Sequence, residues 1–199
     1  MRILVVNNNT KHLDYLKKAL TPYELEVVMY HPGAKLNWQD KDLVVLSGGG
    51  GEGNEINDIV DRGKLWYEDE MKLILECKKP IVGICMGFEV IARTFGSKVE
   101  EMDKIVQGYR KSKATKQGKL LLPVDYIRQY EAHKWRVKDA PKNFIALAKS
   151  NSGVEMMIHK NLPILATQFH PEKTKGTIKL KQLVELILTI EKGQLVRIT

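Results

Sequence analysis

The chain has 199 residues, of which 43% are hydrophobic and 28% are charged, and these proportions are typical of a globular domain rather than a disordered or fibrous chain. Its net charge of +8 comes mainly from 25 lysines, as on an ordinary solvated surface. The apolar runs are far shorter than the ~18 residues of a membrane helix, and the four that follow Arg2 are too few for a secretory signal. We therefore expect one cytoplasmic domain over residues 1–199, without membrane contact.

The first half of the chain alternates predicted strands and helices. Four apolar runs have the length of buried strands: 3–6, 25–29, 43–46 and 81–84. Helical patterns connect them over 11–20, where Thr10 is the expected N-cap, over about 65–77 before Pro80, and over 86–94. This alternation predicts an open, mostly parallel α/β sheet with helices on both faces and functional residues at the carboxyl ends of its strands.

The second half has a different texture. Residues 99–167 form short β-prone runs separated by turn signals, which predicts a small antiparallel addition to the sheet or its edge. Near 177–191 the apolar positions fall on one helical stripe, which predicts a closing amphipathic helix.

Neither the basic residues nor the cysteines indicate a nucleic-acid or zinc-binding domain. Tyr109 is the single aromatic residue within the densest basic stretch: Lys104, Arg110, Lys111, Lys113, Lys116 and Lys119. Nucleic-acid faces usually combine arginine with several aromatics, so this stretch does not predict nucleic-acid binding. Cys77 and Cys85 lack the spacing of a zinc site, and cytoplasmic thiols stay reduced.

Cys85 is the first candidate for chemistry. It is the centre of a Gly-x-Cys-x-Gly pattern between a predicted strand and a predicted helix, with Gly83 and Gly87 as the flanking glycines. In a nucleophile elbow, small neighbours permit a strained turn that exposes the nucleophile at the positive end of the next helix. That position is expected to ease ionisation of the thiol. The alternative is a small core residue between two packing glycines.

A His-Pro-Glu segment follows the predicted strand at 164–167. A cysteine nucleophile needs a base within hydrogen-bond reach, and the base needs an acceptor that fixes its tautomer. His170 and Glu172 suit these roles, because Pro171 fixes the backbone so that residues two apart point the same way. Alternatively, Glu172 is simply an exposed acid before the last helix. Four other histidines compete for the role of base: His12, His31, His133 and His159.

The glycine run after the third strand is the third element. Attack on an amide creates an oxyanion that needs two fixed donors, and loss of one typically costs ~10²- to 10³-fold in rate. The backbone N–H groups of Gly49 and Met86 are the candidates. A phosphate cradle would instead carry Gly-Lys-Ser/Thr, whereas acidic residues follow here. A flexible turn is the remaining interpretation.

Together these three ordered motifs resemble the class I glutamine amidotransferase family over nearly the whole chain. The resemblance implies a flavodoxin-like α/β fold and hydrolysis of the glutamine side-chain amide through a γ-glutamyl thioester. It implies Cys85 as nucleophile, His170 as base and acid, Glu172 as orienting carboxylate, and Gly49 with Met86 as oxyanion donors. Expected substrate contacts are Gly48, Gly50, Glu89, Lys134 and Trp135. No metal or organic cofactor is implied for this reaction.

Glu89 departs from the family pattern, which usually has glutamine at this position of the elbow. A carboxylate accepts a hydrogen bond from an α-ammonium group but donates none. The segment from Gly87 to Glu89, with His-Pro-Glu-Lys, resembles the γ-glutamyl hydrolase branch instead. Trp135 is equally well explained as a core or edge aromatic.

Three functions follow from these motifs. The first is a glutaminase subunit that supplies ammonia to a separate ATP-dependent synthetase, and Ser47-Gly48-Gly49 resembles the loop of the GMP synthetase type. The second is a free-standing γ-glutamyl hydrolase. The third is a catalytically silent regulatory module on the same fold, which the intact Cys, His and Glu set disfavours.

Overall fold

Strands and helices alternate up to residue 94, and strands dominate after it. A computed structural model describes residues 1–49, 60–61, 63–122, 124–173 and 175–191. The elements in chain order are β1 (Arg2–Asn7), α1 (Leu13–Ala19), β2 (Glu24–Met29), β3 (Leu43–Leu46), β4 (Val60–Asp61), β5 (Lys64–Leu65), α2 (Glu68–Glu76), β6 (Ile81–Ile84), α3 (Met86–Thr94), β7 (Glu100–Ala114), α4 (Gly118–Leu121), β8 (Tyr126–Arg136), β9 (Phe144–Lys149), β10 (Val154–His159), β11 (Ile164–Thr167) and α5 (Leu180–Glu191).

One mixed sheet contains nine of the described strands, in the order β2-β1-β3-β6-β11-β10-β9-β7-β8. The first five are parallel to one another, and the other four join antiparallel. The predicted α/β architecture is confirmed, but the antiparallel part is larger than expected. A register shift between Glu101 and Val106 interrupts the pairing of β7 with β8, so one 15-residue strand looks like several short runs in the sequence.

Helices cover both faces of the sheet, and each face has its own apolar core. Leu16 of α1 and Leu183 of α5 belong to one cluster of buried residues, and Ile74 of α2 and Phe88 of α3 belong to the other. This arrangement buries both faces of the central strands, which explains why β3 and β6 are apolar at every position but one. The longest helix of the described part, α5, has 12 residues, and no helix there has the length and apolar character needed to cross a bilayer.

Some helix boundaries differ from the predicted ones. Helix α2 begins at Glu68 because Leu65 pairs with Val60 in a two-stranded ribbon. Thr10 is not the N-cap of α1: His12 occupies that position, and the Thr10 hydroxyl accepts a hydrogen bond from the His12 amide at 3.2 Å. Local polar contacts of this kind shift a helix boundary without changing the apolar pattern from which it is predicted.

The three predicted motifs meet at one edge of the sheet. In the register of the central strands, Leu46 of β3 lies beside Gly83 of β6, and Ile84 of β6 lies beside Thr167 of β11. The segments that follow these strands therefore emerge side by side at their carboxyl ends.

Strand β8 returns towards this edge although it is last in the sheet order. The His170 amide donates to the Tyr130 carbonyl at 2.9 Å, and the Val154 amide of β10 donates to the Val137 carbonyl just after β8 at 2.8 Å. The sheet is curled enough for β8 to form a wall beside the ends of β6 and β11.

Candidate active site

The backbone at Cys85 is strained in the manner of a nucleophile elbow. Its φ of 51° and ψ of −103° lie outside the regions that a side-chain-bearing residue usually adopts. The flanking glycines are required by space: a Cβ on Gly83 would lie 2.5 Å from Ile91 Cδ1, and one on Gly87 would overlap the Leu46 carbonyl. The Cys85 amide donates to the Thr167 carbonyl at 2.8 Å, which fixes the turn against β11.

His170 and Glu172 form a buried pair. The Nδ1 atom of His170 lies 2.7 Å from Oε1 of Glu172, and the two side chains are only 2% and 3% exposed. Because an ionised carboxylate only accepts, His170 donates from Nδ1 and keeps Nε2 as its proton acceptor. Nε2 is buried and has no hydrogen-bond partner among the described residues. The predicted pairing of residues two apart is thus confirmed.

Gly48 lies between this pair and the thiol. A Cβ built on Gly48 would be 3.1 Å from His170 Cε1, 3.4 Å from Cys85 Cβ and 3.6 Å from Thr10 Oγ1. The imidazole and the cysteine side chain therefore border the same point of the glycine loop. Glycine at position 48 keeps this space open for a substrate.

Ser47 holds the start of the glycine loop in place. Its hydroxyl accepts from the Asn8 amide at 2.9 Å and donates to the Gly48 carbonyl at 2.9 Å, and its own carbonyl accepts from the Gly87 amide at 3.1 Å. The loop is therefore tied both to β1 and to the first turn of α3. Gly49 follows directly on this anchored segment, and its role as oxyanion donor stays a prediction.

Gly50, one of the predicted substrate contacts, lies outside the described residues. Met86, the other predicted oxyanion donor, is the first residue of α3, and its backbone N–H faces the sulfur of Cys85.

The thiol of Cys85 is not ionised easily, contrary to the expectation from its place at a helix N-terminus. Burial, followed by the nearby carboxylates of Glu89 and Glu172, raises the pKa of Cys85 well above its ordinary value, while the Met86 amide opposes this effect. The side chain donates to the Ala132 carbonyl at an Sγ–O distance of 3.8 Å. Desolvation outweighs the helix terminus here, so the resting group is the neutral thiol.

Glu89 is an interior residue of α3. It is 3% exposed, and its Oε1 accepts from Gln168 Nε2 at 2.8 Å. Burial raises its pKa to about 7. One carboxylate oxygen is therefore already occupied by an internal partner, and contact with a substrate α-ammonium group stays a prediction.

Lys134 and Trp135 have other described contacts. The Lys134 ammonium group forms an ion pair with Glu101 of β7 and is 43% exposed. Trp135 packs half-buried against the core on the α3 side of the sheet, and its carbonyl lies 2.7 Å from His133 Nδ1. These contacts agree with the interpretation of Trp135 as a core aromatic, and substrate binding by both residues is a prediction.

His12 and Tyr130 adjoin the site, although sequence reasoning assigned neither to it. The His12 ring packs edge-on against His170 at a centroid distance of 4.8 Å, and Tyr130 lies 5.9 Å from His12. Burial, then repulsion from His170 and Lys173, lowers the pKa of His12 to about 4. His12 is therefore a neutral wall of the site at physiological pH. Neither residue belongs to a local motif, so only the fold reveals their proximity.

This fold and site define a class of hydrolase in which an elbow cysteine, a strand-end histidine and a carboxylate are arranged on a mostly parallel sheet. A family model described as Glutamine amidotransferase class-I matches residues 4–188, and the chain belongs to this family.

Relatives within the family include the glutamine-hydrolyzing subunits of GMP synthase. The one from Pyrococcus abyssi is 38% identical over 100 residues, which are 49% of this chain and 53% of that protein. The match thus spans about half the length of that relative. The one from Sulfurisphaera tokodaii is 27% identical over 191 residues, which cover 93% of this chain and 98% of that protein.

A solved structure from Thermoplasma acidophilum, described as a GMP synthase subunit, has the same fold. It matches with a TM-score of 0.79 and 25% identity, and the match covers 97% of this chain and 94% of that chain.

Proposed function

We propose that this chain hydrolyses the side-chain amide of glutamine and supplies the ammonia to a separate ATP-dependent synthetase, of the GMP-forming type. The observation that carries the proposal is the convergence of the Cys85 and His170 side chains on Gly48, with His170 held by Glu172. Membership of the glutamine amidotransferase family supports the substrate. The names of the relatives support the synthetase.

The first half-reaction forms a thioester. The thiol proton of Cys85 passes to Nε2 of His170 as Sγ attacks the γ-carbonyl carbon of glutamine. The carbonyl electron pair moves to the oxygen, which the N–H groups of Met86 and Gly49 stabilise. His170 then returns the proton to the amide nitrogen, the C–N bond breaks, and ammonia leaves a γ-glutamyl thioester on Cys85.

The second half-reaction releases glutamate. A water molecule gives a proton to His170 and attacks the thioester carbon, and the C–S bond breaks as the thiol of Cys85 takes that proton back. Throughout the cycle Glu172 is a positioning residue, because its carboxylate fixes the tautomer of His170 through Nδ1 and stabilises the imidazolium.

The resting state of the thiol supports dependence on a synthetase. Because burial holds the pKa of Cys85 well above its usual range, little thiolate is present before substrate and partner are bound. We expect slow glutamine hydrolysis by the chain alone and acceleration when the synthetase docks. Slow basal turnover would prevent wasteful release of ammonia.

The test is a glutaminase assay on the purified chain with and without candidate ATP-dependent synthetases. The expected result is weak basal hydrolysis that a GMP-forming synthetase accelerates and that Cys85→Ala abolishes. A Cys77→Ala variant is the matched control, since Cys77 is a buried free thiol outside the site. Undiminished turnover by Cys85→Ala would refute the mechanism, and acceleration by a different synthetase alone would refute the partner.

Glu89 favours one alternative, a free-standing γ-glutamyl hydrolase, and the same assay distinguishes it. Fast, partner-independent cleavage of a γ-glutamyl dipeptide would favour the hydrolase and leave the roles of Cys85 and His170 intact. For an amidotransferase we expect Glu89→Gln to hydrolyse glutamine within about tenfold of the parent, because glutamine still accepts the bond from Gln168 and one such contact is worth ~1 to 3 kcal/mol. A larger loss would mean that the charge of Glu89 is needed.

A further inference from the structure

A second group of ionisable side chains is buried between β8 and β10 and takes no part in the proposed reaction. Glu131 and His133 are two residues apart on β8 and therefore point to the same side of the strand. Glu155 is contributed by β10. The three residues are 2%, 5% and 1% exposed, respectively. Isolated charges at this depth are costly, so the cluster requires a compensating interaction.

The geometry suits a metal ion. One ligand atom from each of Glu131, His133 and Glu155 lies within 4.8 Å of the other two. His133 Nε2 and Glu131 Oε2 are 3.5 Å apart, close to the ~3.4 Å expected between two ligands of a tetrahedral zinc ion. Small side-chain rotations would bring Glu155 to the same spacing.

Each of the three side chains has a buried atom that lacks a hydrogen-bond partner among the described residues. These atoms are Oε1 of Glu131, Nε2 of His133 and Oε2 of Glu155. Buried polar atoms in folded proteins nearly always have partners, so three such atoms in one cluster indicate a missing common partner.

The groups behind the cluster hold its members as they would hold metal ligands. His133 Nδ1 lies 2.7 Å from the Trp135 carbonyl and must donate to it, so Nε2 carries the free lone pair. The Ser150 hydroxyl donates to Glu155 Oε1 at 2.5 Å and leaves Oε2 available. Metal-binding imidazoles and carboxylates are commonly oriented in this way by a second hydrogen bond.

The charge balance also favours a cation. Two carboxylates face one imidazole here, and the carboxylate of Glu89 lies near His133 as well. Across the described part of the chain, the ion pairs of Glu131 and Glu155 include no lysine or arginine. A divalent cation would neutralise the two carboxylates without a buried basic side chain.

A route from solvent reaches the cluster. Glu131 and Ser150 line a cavity of about 570 Å³, whose lining also includes Lys111, Lys113 and Lys149. The lysines make the cavity positive and should slow the uptake of a cation, so binding experiments need long equilibration.

We propose that Glu131, His133 and Glu155 form a binding site for a divalent first-row transition metal ion, with zinc as the ion that best matches one imidazole and two carboxylates. The site is separate from the Cys85 and His170 pair and does not depend on the proposed glutaminase activity. A bound ion would tie β8 to β10 and so fix the wall that borders the elbow.

The test is zinc binding by protein that has been treated with a chelator, in a Cys85→Ala background so that the catalytic thiol is not a competing ligand. After overnight equilibration with zinc chloride and removal of free metal, elemental analysis should find about one zinc ion per chain. Cobalt substitution should give visible d–d bands without a thiolate charge-transfer band, as expected for nitrogen and oxygen ligands alone.

Variants then locate the ion. Glu155→Gln and Glu131→Gln should each weaken zinc binding at least about 100-fold, which exceeds the usual effect of losing an outer hydrogen-bond partner. Glu24→Gln, which replaces an exposed carboxylate on β2, is the matched control and should bind as the parent does. If one cluster variant does not fold, the other provides the same comparison. Absence of stoichiometric zinc in the Cys85→Ala protein, or unchanged affinity in a folded cluster variant, would overturn the proposal.

Discussion

Replacing Glu172 by glutamine tests the proposed mechanism most directly. In the structure, Glu172 contacts His170 and lies on the side of the imidazole away from its free Nε2. The variant keeps the size of the side chain and an oxygen that can accept from Nδ1, but it removes the negative charge. It therefore perturbs the orientation and charge of the base without removing it.

The size of the effect follows from the 2.7 Å contact in a buried environment. A hydrogen bond to a charged group contributes ~1.5–3 kcal/mol and a neutral one ~0.5–1.5 kcal/mol. If ~1–3 kcal/mol is lost in the transition state, where the imidazole is positively charged, kcat/KM for glutamine should fall about 5- to 150-fold. His170→Ala removes the proton transfer itself and should reach the ~10²- to 10⁴-fold range. We expect His170→Ala to be slower than Glu172→Gln by at least about tenfold.

Steady-state glutaminase kinetics measure both variants, with Glu185→Gln, an exposed carboxylate on α5, as the control. Glu172→Gln should lower kcat and leave KM nearly unchanged, because Glu172 reaches the substrate only through His170. The double variant Cys85→Ala/His170→Ala should be no slower than the slower single variant, since the two residues act as one unit. A Glu172→Gln loss equal to that of His170→Ala, or losses that multiply in the double variant, would refute this reasoning.

Three further predictions concern the glycine loop, a buried acid and the two thiols. Gly48→Ala places a Cβ 3.1 Å from His170 Cε1, so kcat/KM for glutamine should fall about 3- to 10-fold while the melting temperature changes little. Burial raises the pKa of Glu70 to about 8, so the free energy of unfolding should decrease between pH 4.5 and 8; Glu70→Gln should abolish this decrease in denaturant titrations and be more stable than the parent at pH 8.5. A glutamine-like electrophile should label Cys85 before Cys77, and labelling should accelerate with rising pH because burial raises the pKa of Cys85; mass spectrometry identifies the labelled thiol.

Each of these predictions has an outcome that contradicts it. Unchanged kinetics in Gly48→Ala would mean that the loop is not packed between thiol and imidazole. A Glu70→Gln variant whose stability keeps the pH dependence of the parent would show that another group titrates. Preferential labelling of Cys77 would remove Cys85 from the role of nucleophile.

Much of the site was readable in the sequence because its residues belong to local motifs. The apolar runs at β3, β6 and β11 specify buried strands, and a parallel sheet necessarily brings the carboxyl ends of neighbouring strands to one edge. Gly83 and Gly87 mark the elbow because no larger side chain fits, and Pro171 spaces His170 from Glu172. Chain-local chemistry and the rules of strand order were therefore sufficient for these elements.

The tertiary structure decided what depends on distant parts of the chain. The ionisation of Cys85 could not be foreseen, since the desolvation that raises its pKa depends on what packs around the elbow, while the helix terminus that suggested the opposite is a local feature. The place of His12 against His170, and that of Glu131 and His133 beside Glu155, depend on the curl that returns β8 to the carboxyl ends of β6 and β11. Sequence periodicity specifies which face of a strand is buried, but long-range packing alone specifies what that face meets.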